Sequence, residues 1–169
     1  MKRKLSALNE NDLRKLLSAL CSANKENALL VDLYMNDNSV IESFRKKIDK
    51  SLNPDDFSFR EVKHYLSVVK KFCNDLYLVA ELHVYATEVG NDITMEYGDI
   101  DENYYNAMEN LFEASCKLVT AMDAGEERDE LQERLNEIVD DTDGIGWGYH
   151  DGLCDIYGTF FPMKEDGIE

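Results

Sequence analysis

Leu76-Tyr-Leu-Val-Ala-Glu-Leu-His-Val-Tyr-Ala-Thr-Glu-Val-Gly-Asn-Asp-Ile-Thr-Met-Glu-Tyr97 is the stretch on which the fold turns. Val79, Leu82, Ala86, Val89, Gly90, Ile93 and Tyr97 recur at helical intervals and fall within roughly a 100° arc. Leu76, Leu78, Val84 and Tyr85 widen that apolar surface, so the spacing predicts a long helix at the centre of the protein. Gly98 is placed to end it, because glycine takes a left-handed capping conformation without a Cβ clash. Opposite the arc, Glu81, Glu88, Asp92 and Glu96 form an acidic stripe. Its plain reading is the wet face of an amphipathic helix, and His83 at the edge of the arc reads as a partly buried, satisfied histidine.

Working outward, the same periodicity recurs on both sides. Asn9 or Asn11 can cap a first helix in which Leu13, Leu16, Leu17 and Leu20 repeat at three and four residues. A second helix covers Glu26 to Tyr34, and Asn36-Asp37-Asn38 reads as a turn. A third carries Val40, Ile41, Phe44 and Ile48 inward and stops before Pro54. Ser58 and Glu61 match a capping box at the start of a fourth, with Val62, Tyr65, Leu66, Val69 and Phe72 on one side. Beyond the central helix, Asp99 or Asp101 caps a sixth carrying Tyr105, Met108, Leu111, Phe112, Cys116, Val119 and Met122, which Gly125 ends. A seventh shows only the narrow stripe Leu131, Leu135 and Ile138, so it belongs on the outside. A glycine-rich turn at Asp143–Gly148 leads into a last helix with Leu153, Ile156, Tyr157 and Phe160.

No alternating, strand-like run competes with these signals. The predicted fold is all-α: an irregular helical bundle or short α-α superhelix of about seven to eight antiparallel helices. One domain spans residues 1–162, leaving 163–169 as a frayed tail.

Charge is divided unevenly along the chain. Of 18 Lys/Arg and 35 Asp/Glu, residues 1–73 hold 14 and 10, a net +4; residues 74–169 hold 4 and 25, a net −21. Phosphates would be repelled by the acidic half, which argues against direct nucleic-acid binding. The four cysteines, Cys21, Cys73, Cys116 and Cys154, are widely spaced. They suit neither a disulfide framework nor a zinc motif, and read as small buried hydrophobes in a reducing compartment. The basic opening residues lead into no apolar run, and no stretch is apolar enough to span a membrane; the expected setting is cytoplasmic.

Motifs for chemistry are weak. Glu61-Val62-Lys63-His64 is a lone Glu-x-x-His where a carboxylate-bridged metal site needs two. Asp99–Asn110 opens like a calcium loop but has Tyr104 and Asn110 where glycine and glutamate are required. A hard cation between the fifth and sixth helices would draw on Glu81, Glu88, Asp92, Glu109 and Glu113. Trp147, Tyr149, His150 and Asp151 crowd around the glycines and form a possible interaction patch. No Cys/His or Ser/His/Asp catalytic arrangement can be assigned, and no cofactor is implied.

Tyr85-Ala86-Thr87-Glu88-Val89-Gly90 followed by Tyr97-Gly98-Asp99-Ile100-Asp101-Glu102, with Tyr105 and Met108, resembles an uncharacterised family of small all-helical bacterial proteins, a domain of unknown function. The opening Leu5–Leu13 and the closing Gly146-Trp-Gly-Tyr-His-Asp151 extend the likeness over most of the chain. The resemblance implies an all-helical fold in a bacterial, cytoplasmic setting, and brings no activity or site residues with it.

Three functions are compatible with these features. A non-enzymatic interaction or adaptor module would bind a basic protein surface through its acidic helices. A metal-binding protein or metal-dependent enzyme would use the carboxylates named above. An acidic inhibitor that mimics nucleic acid is the third.

Overall fold

The computed structural model describes residues 5–35, 38–53, 57–98, 100, 102–146 and 148–162. Features expected at Asn36, Asp37, Pro54, Asp99, Asp101, Trp147 and from residue 163 onward lie outside the described residues. Among those described, the chain forms eight helices and no strand: α1 (Glu10–Ala23), α2 (Lys25–Tyr34), α3 (Asn38–Ser51), α4 (Phe59–Phe72), α5 (Leu76–Tyr97), α6 (Glu102–Thr120), α7 (Glu126–Asp141) and α8 (Tyr149–Phe160). They make the all-α irregular bundle that the periodicity predicts.

α5 sits at the centre because it is apolar almost all round. Its first half buries Val79, Ala80, Leu82, Val84 and Ala86 on successive sides, and α3, α4, α6 and α7 all pack against it. Asp75 starts the helix sharply: its carboxylate accepts hydrogen bonds from the Tyr77 and Leu78 amides, satisfying donors that a helix N-terminus leaves open. That cap separates α4 from α5. At the other end Gly98 adopts φ 74° and its amide donates to the Thr94 carbonyl. The arc is drier at its start than at its finish, since Tyr97 is 59% exposed.

α6 supplies the main partner face, burying Tyr105, Met108, Leu111, Phe112, Cys116 and Val119 as their spacing predicts. The two helices meet closely at Gly90, where a Cβ would lie 2.5 Å from Met108 Sδ. The Tyr104 hydroxyl donates to the Gly90 carbonyl at 2.7 Å in the same place. The buried apolar side chains form one connected cluster drawn from α2 through α8.

Two predicted caps differ. Ser58 makes no side-chain cap bond, and Glu61 instead accepts a bond from Ser51 Oγ at 3.1 Å. The capping box is replaced by a clamp between the end of α3 and the start of α4. α6 stops at Thr120, and Gly125 is the N-cap of α7 instead of the terminator of α6. Cys73 and Cys116 are buried as expected, whereas Cys21 is half-buried and Cys154 is exposed. Among the described residues no helix is long and apolar enough to cross a membrane.

Candidate functional site

The acidic stripe of α5 is a wet face only in its second half, where Asp92 and Glu96 are exposed. α3 and α7 close over its first two turns, leaving Glu81 only 6% exposed and Glu88 half-buried. A buried carboxylate is costly unless it is paired, and here each neighbouring helix contributes an arginine. Arg45 of α3 donates to Glu81 Oε1. Arg134 of α7 grips Glu88 with two bonds of 2.7 Å, from Nε and Nη2, while its Nη1 lies 3.7 Å from Glu81. This fork-to-carboxylate geometry fixes the rotation of α7 on α5. The bond to Glu88, followed by the charges of Glu88, Glu81 and Glu130, holds the Arg134 pKa above its already high value.

Arg45 also stacks over the Tyr85 ring, 4.9 Å from its centroid. The Tyr85 hydroxyl donates to Asp49 at 2.6 Å, and burial together with that carboxylate pushes the phenol up to about 12. The result is a cross-brace of α3, α5 and α7 that ties up both arginines.

Above this brace runs a groove. One cavity of about 490 Å³ lies at the N-terminal end of α7, lined by the apolar side chains of Leu76, Tyr77, Ala121 and Met122 and by the carboxylates of Asp75, Asp123, Glu126 and Glu127. A second, of about 460 Å³, lies between α3, α5 and α7 over Glu81 and is edged by Glu42 and Glu130. Tyr77 lines both cavities. Burial, then Glu130, Glu81 and Glu127, push the Tyr77 phenol upward, which reports the negative field at the junction. The walls hold seven carboxylates, Asp75, Asp123, Glu126, Glu127, Glu42, Glu81 and Glu130, against three arginines, Arg128, Arg45 and Arg134. Two of those arginines are already bound by glutamates.

The five carboxylates considered for a cation do not converge. Glu81 and Glu88 face the arginines of α3 and α7, while Glu109 of α6 lies against α8, where a Cβ on Gly152 would come within 2.7 Å of its carboxylate. Asp92 and Glu113 are exposed. Among the described residues no group of three or more His, Cys, Asp or Glu side chains is arranged to hold a metal ion.

The aromatic patch is also redistributed. Tyr149 is fully buried, with its ring 4.9 Å from that of Tyr105, so it belongs to the core. Asp151 is exposed and His150 half-buried, and Trp147 lies outside the described residues. His150 has a partner that sequence reasoning missed: its Nε2 lies 3.4 Å from Cys154 Sγ, one turn along α8. The Thr142 hydroxyl donates to the Val139 carbonyl at 2.7 Å, so its oxygen is free to accept from His150 Nδ1 at 3.1 Å. That leaves Nε2 as the acceptor for the thiol. The i,i+4 spacing was the available signal. Slight burial and the carboxylates of Asp151, Asp155, Asp140 and Asp143 raise the Cys154 pKa, opposing thiolate formation at neutral pH.

His83 is buried as a neutral, satisfied side chain. Nδ1 donates to the Val79 carbonyl at 2.7 Å, and burial holds its pKa down at about 4, with Lys70 adding to the effect.

No protein-family model, curated protein sequence or solved structure matches the chain.

Proposed function

We propose that the protein is a non-enzymatic interaction module whose α5–α7 groove receives a basic segment of another protein. The observation that carries this reading is the charge imbalance of the lining: seven carboxylates and three arginines line the two cavities, and once Glu42 and Glu81 are set against Arg45, and Glu88 against Arg134, five carboxylates remain beside Arg128 alone. Apolar side chains interleaved with carboxylates suit a lysine or arginine, whose aliphatic stem would lie on Leu76 and Met122 while its charged head meets Glu126 or Glu127. The wider surface agrees, since α7 exposes Glu133, Glu137, Asp140 and Asp141 beside the groove. Nucleic acid is disfavoured at such a surface by charge repulsion.

The test uses a labelled peptide rich in lysine and leucine, followed by fluorescence anisotropy. Wild type should bind it, and affinity should fall steeply as salt rises from about 0.1 M, where the Debye length is ~10 Å, to about 1 M, where it is ~3 Å. A Glu126→Gln, Glu127→Gln, Glu130→Gln variant should bind at least about tenfold more weakly, a loss of ~1.4 kcal/mol. Binding unaffected by either change would reduce the acidic surface to a solubilising coat and remove this reading.

A further inference from the structure

The apolar first half of α5 holds a histidine, and His83 is only 6% exposed. Its Nδ1–H donates to the Val79 carbonyl, which already accepts the His83 amide in the helix ladder. That bond therefore rescues no orphaned group; it fixes the tautomer and the direction of the ring. It satisfies one side of the imidazole. On the other side Nε2 keeps its lone pair. No donor among the described residues reaches Nε2, and it is not among the polar atoms sealed off without a partner. It opens into a cavity of about 210 Å³ that the ring lines between α4, α5 and α6.

Polar groups converge on this cavity from three helices. Lys63, Ser67 and Lys70 stand on one side of α4, at helical spacing, and Asn110 comes from α6. Leu66, Leu111 and Ala114 complete the wall. Lys70 is near enough for its charge to act on the His83 ring. Neither lysine makes an ion pair among the described residues. No carboxylate lines the cavity, in a chain of net charge −17 whose two cavities beside α7 are lined by seven. α4 also exposes Arg60 and Lys71, with Glu61 its only acidic residue.

We propose that this cavity binds inorganic phosphate, with its P–OH donating to His83 Nε2 and its charged oxygens accepting from Lys63 and Lys70. The lining selects that ion. Two ammonium groups and the Ser67 hydroxyl call for anionic acceptor oxygens. A neutral Nε2 calls for a donor, and it repels an oxygen that brings only lone pairs. Near neutral pH inorganic phosphate keeps at least one P–OH beside its charged oxygens, so it meets both demands. Sulfate has the same shape but no hydrogen. A phosphomonoester has largely lost its hydrogen at pH 7, its second pKa being about 6. The volume agrees with a small occupant, lying below the ~300–1,000 Å³ of sites for drug-sized ligands. This site is separate from the α5–α7 groove, and neither proposal depends on the other.

The test is calorimetric titration of the full chain with sodium phosphate at pH 7 in a chloride buffer, with nitrogen-15 spectra of the histidine rings. Phosphate should bind once per chain with a Kd on the order of 0.1–1 mM. It should shift the His83 Nε2 resonance while the ring stays neutral. Sulfate and phosphoserine should each bind at least about tenfold more weakly, because neither brings a donor to Nε2. Lys63→Gln, Lys70→Gln changes two exposed positions and should weaken phosphate at least about tenfold. A phosphate response that never saturates would overturn the proposal, as would sulfate or phosphoserine bound equally tightly. So would binding unchanged in the double variant, or a His83 ring that takes up a proton when phosphate binds.

Discussion

α5 and α1 both carry aligned apolar side chains at helical spacing, yet one is the most enclosed helix among those described and the other buries nothing. The difference lies in their surroundings. Four helices pack on α5, whereas among the described residues α1 packs substantially on α2 alone. An amphipathic pattern specifies that a helix will seek an apolar partner; it does not specify that the partner belongs to the same fold. The leucines of α5 therefore hold the protein together, and those of α1 remain available.

Truncating one leucine in each helix puts this contrast to its hardest test. Leu82 is fully buried, so Leu82→Ala should cost ~2–5 kcal/mol in chemical denaturation. Leu17 is 50% exposed, so Leu17→Ala should stay within about 0.5 kcal/mol. Similar losses at the two positions would break the comparison.

A second test addresses the enclosure of α5 through His83. In the folded protein its pKa is depressed to about 4, while in the unfolded chain it returns to about 6.5. Between those values the unfolded state binds a proton that the folded state refuses, so stability is intact above pH ~6.5 and is lost as the pH falls toward 4. Lys70 and Lys63 from α4 line the same cavity as the ring, and no carboxylate shares it. The contribution amounts to roughly 3 kcal/mol. Urea titrations at pH 7 and pH 4.5 should show a smaller drop in His83→Gln than in wild type; equal drops would mean that water reaches the ring.

The smallest effect belongs to the seam between α5 and α7. A double-mutant cycle on Arg134 and Glu88, using Arg134→Met and Glu88→Gln, should give a coupling of about 1 kcal/mol, as expected for a hydrogen-bonded pair that is only partly buried. A coupling near zero would show that the apolar stripe of α7 alone sets its rotation.

Much of this architecture was legible in the chain. The helices follow from periodicity, and the inward residues of α6 and α7 are those their spacing selects. The acidic stripe departs from a wet face at Glu81 and Glu88 for a specific reason. Glu81, Glu88, Asp92 and Glu96 look alike on one helix, but Arg45 and Arg134 reach the first two from 36 and 46 residues away. Local sequence contains no record of that approach. Ser58 was likewise a sound cap locally, and lost Glu61 to Ser51 once α3 and α4 packed together. The His150–Cys154 contact was within reach of simple i,i+4 reasoning, but its support from Thr142 depended on how the turn before α8 folds back.

By itself, then, the sequence determined that the protein is helical, where most helices begin and end, and that its negative charge gathers in the second half. Periodicity, capping and composition act over a few residues, and each is written in neighbouring letters. Only the tertiary structure decided which acidic residues are buried in ion pairs and which line an open groove. It also decided which apolar stripe enters the core and which stays uncovered. Those outcomes depend on the number of helices that reach a given face, and solvent exclusion and ion pairing come into force only when distant segments meet.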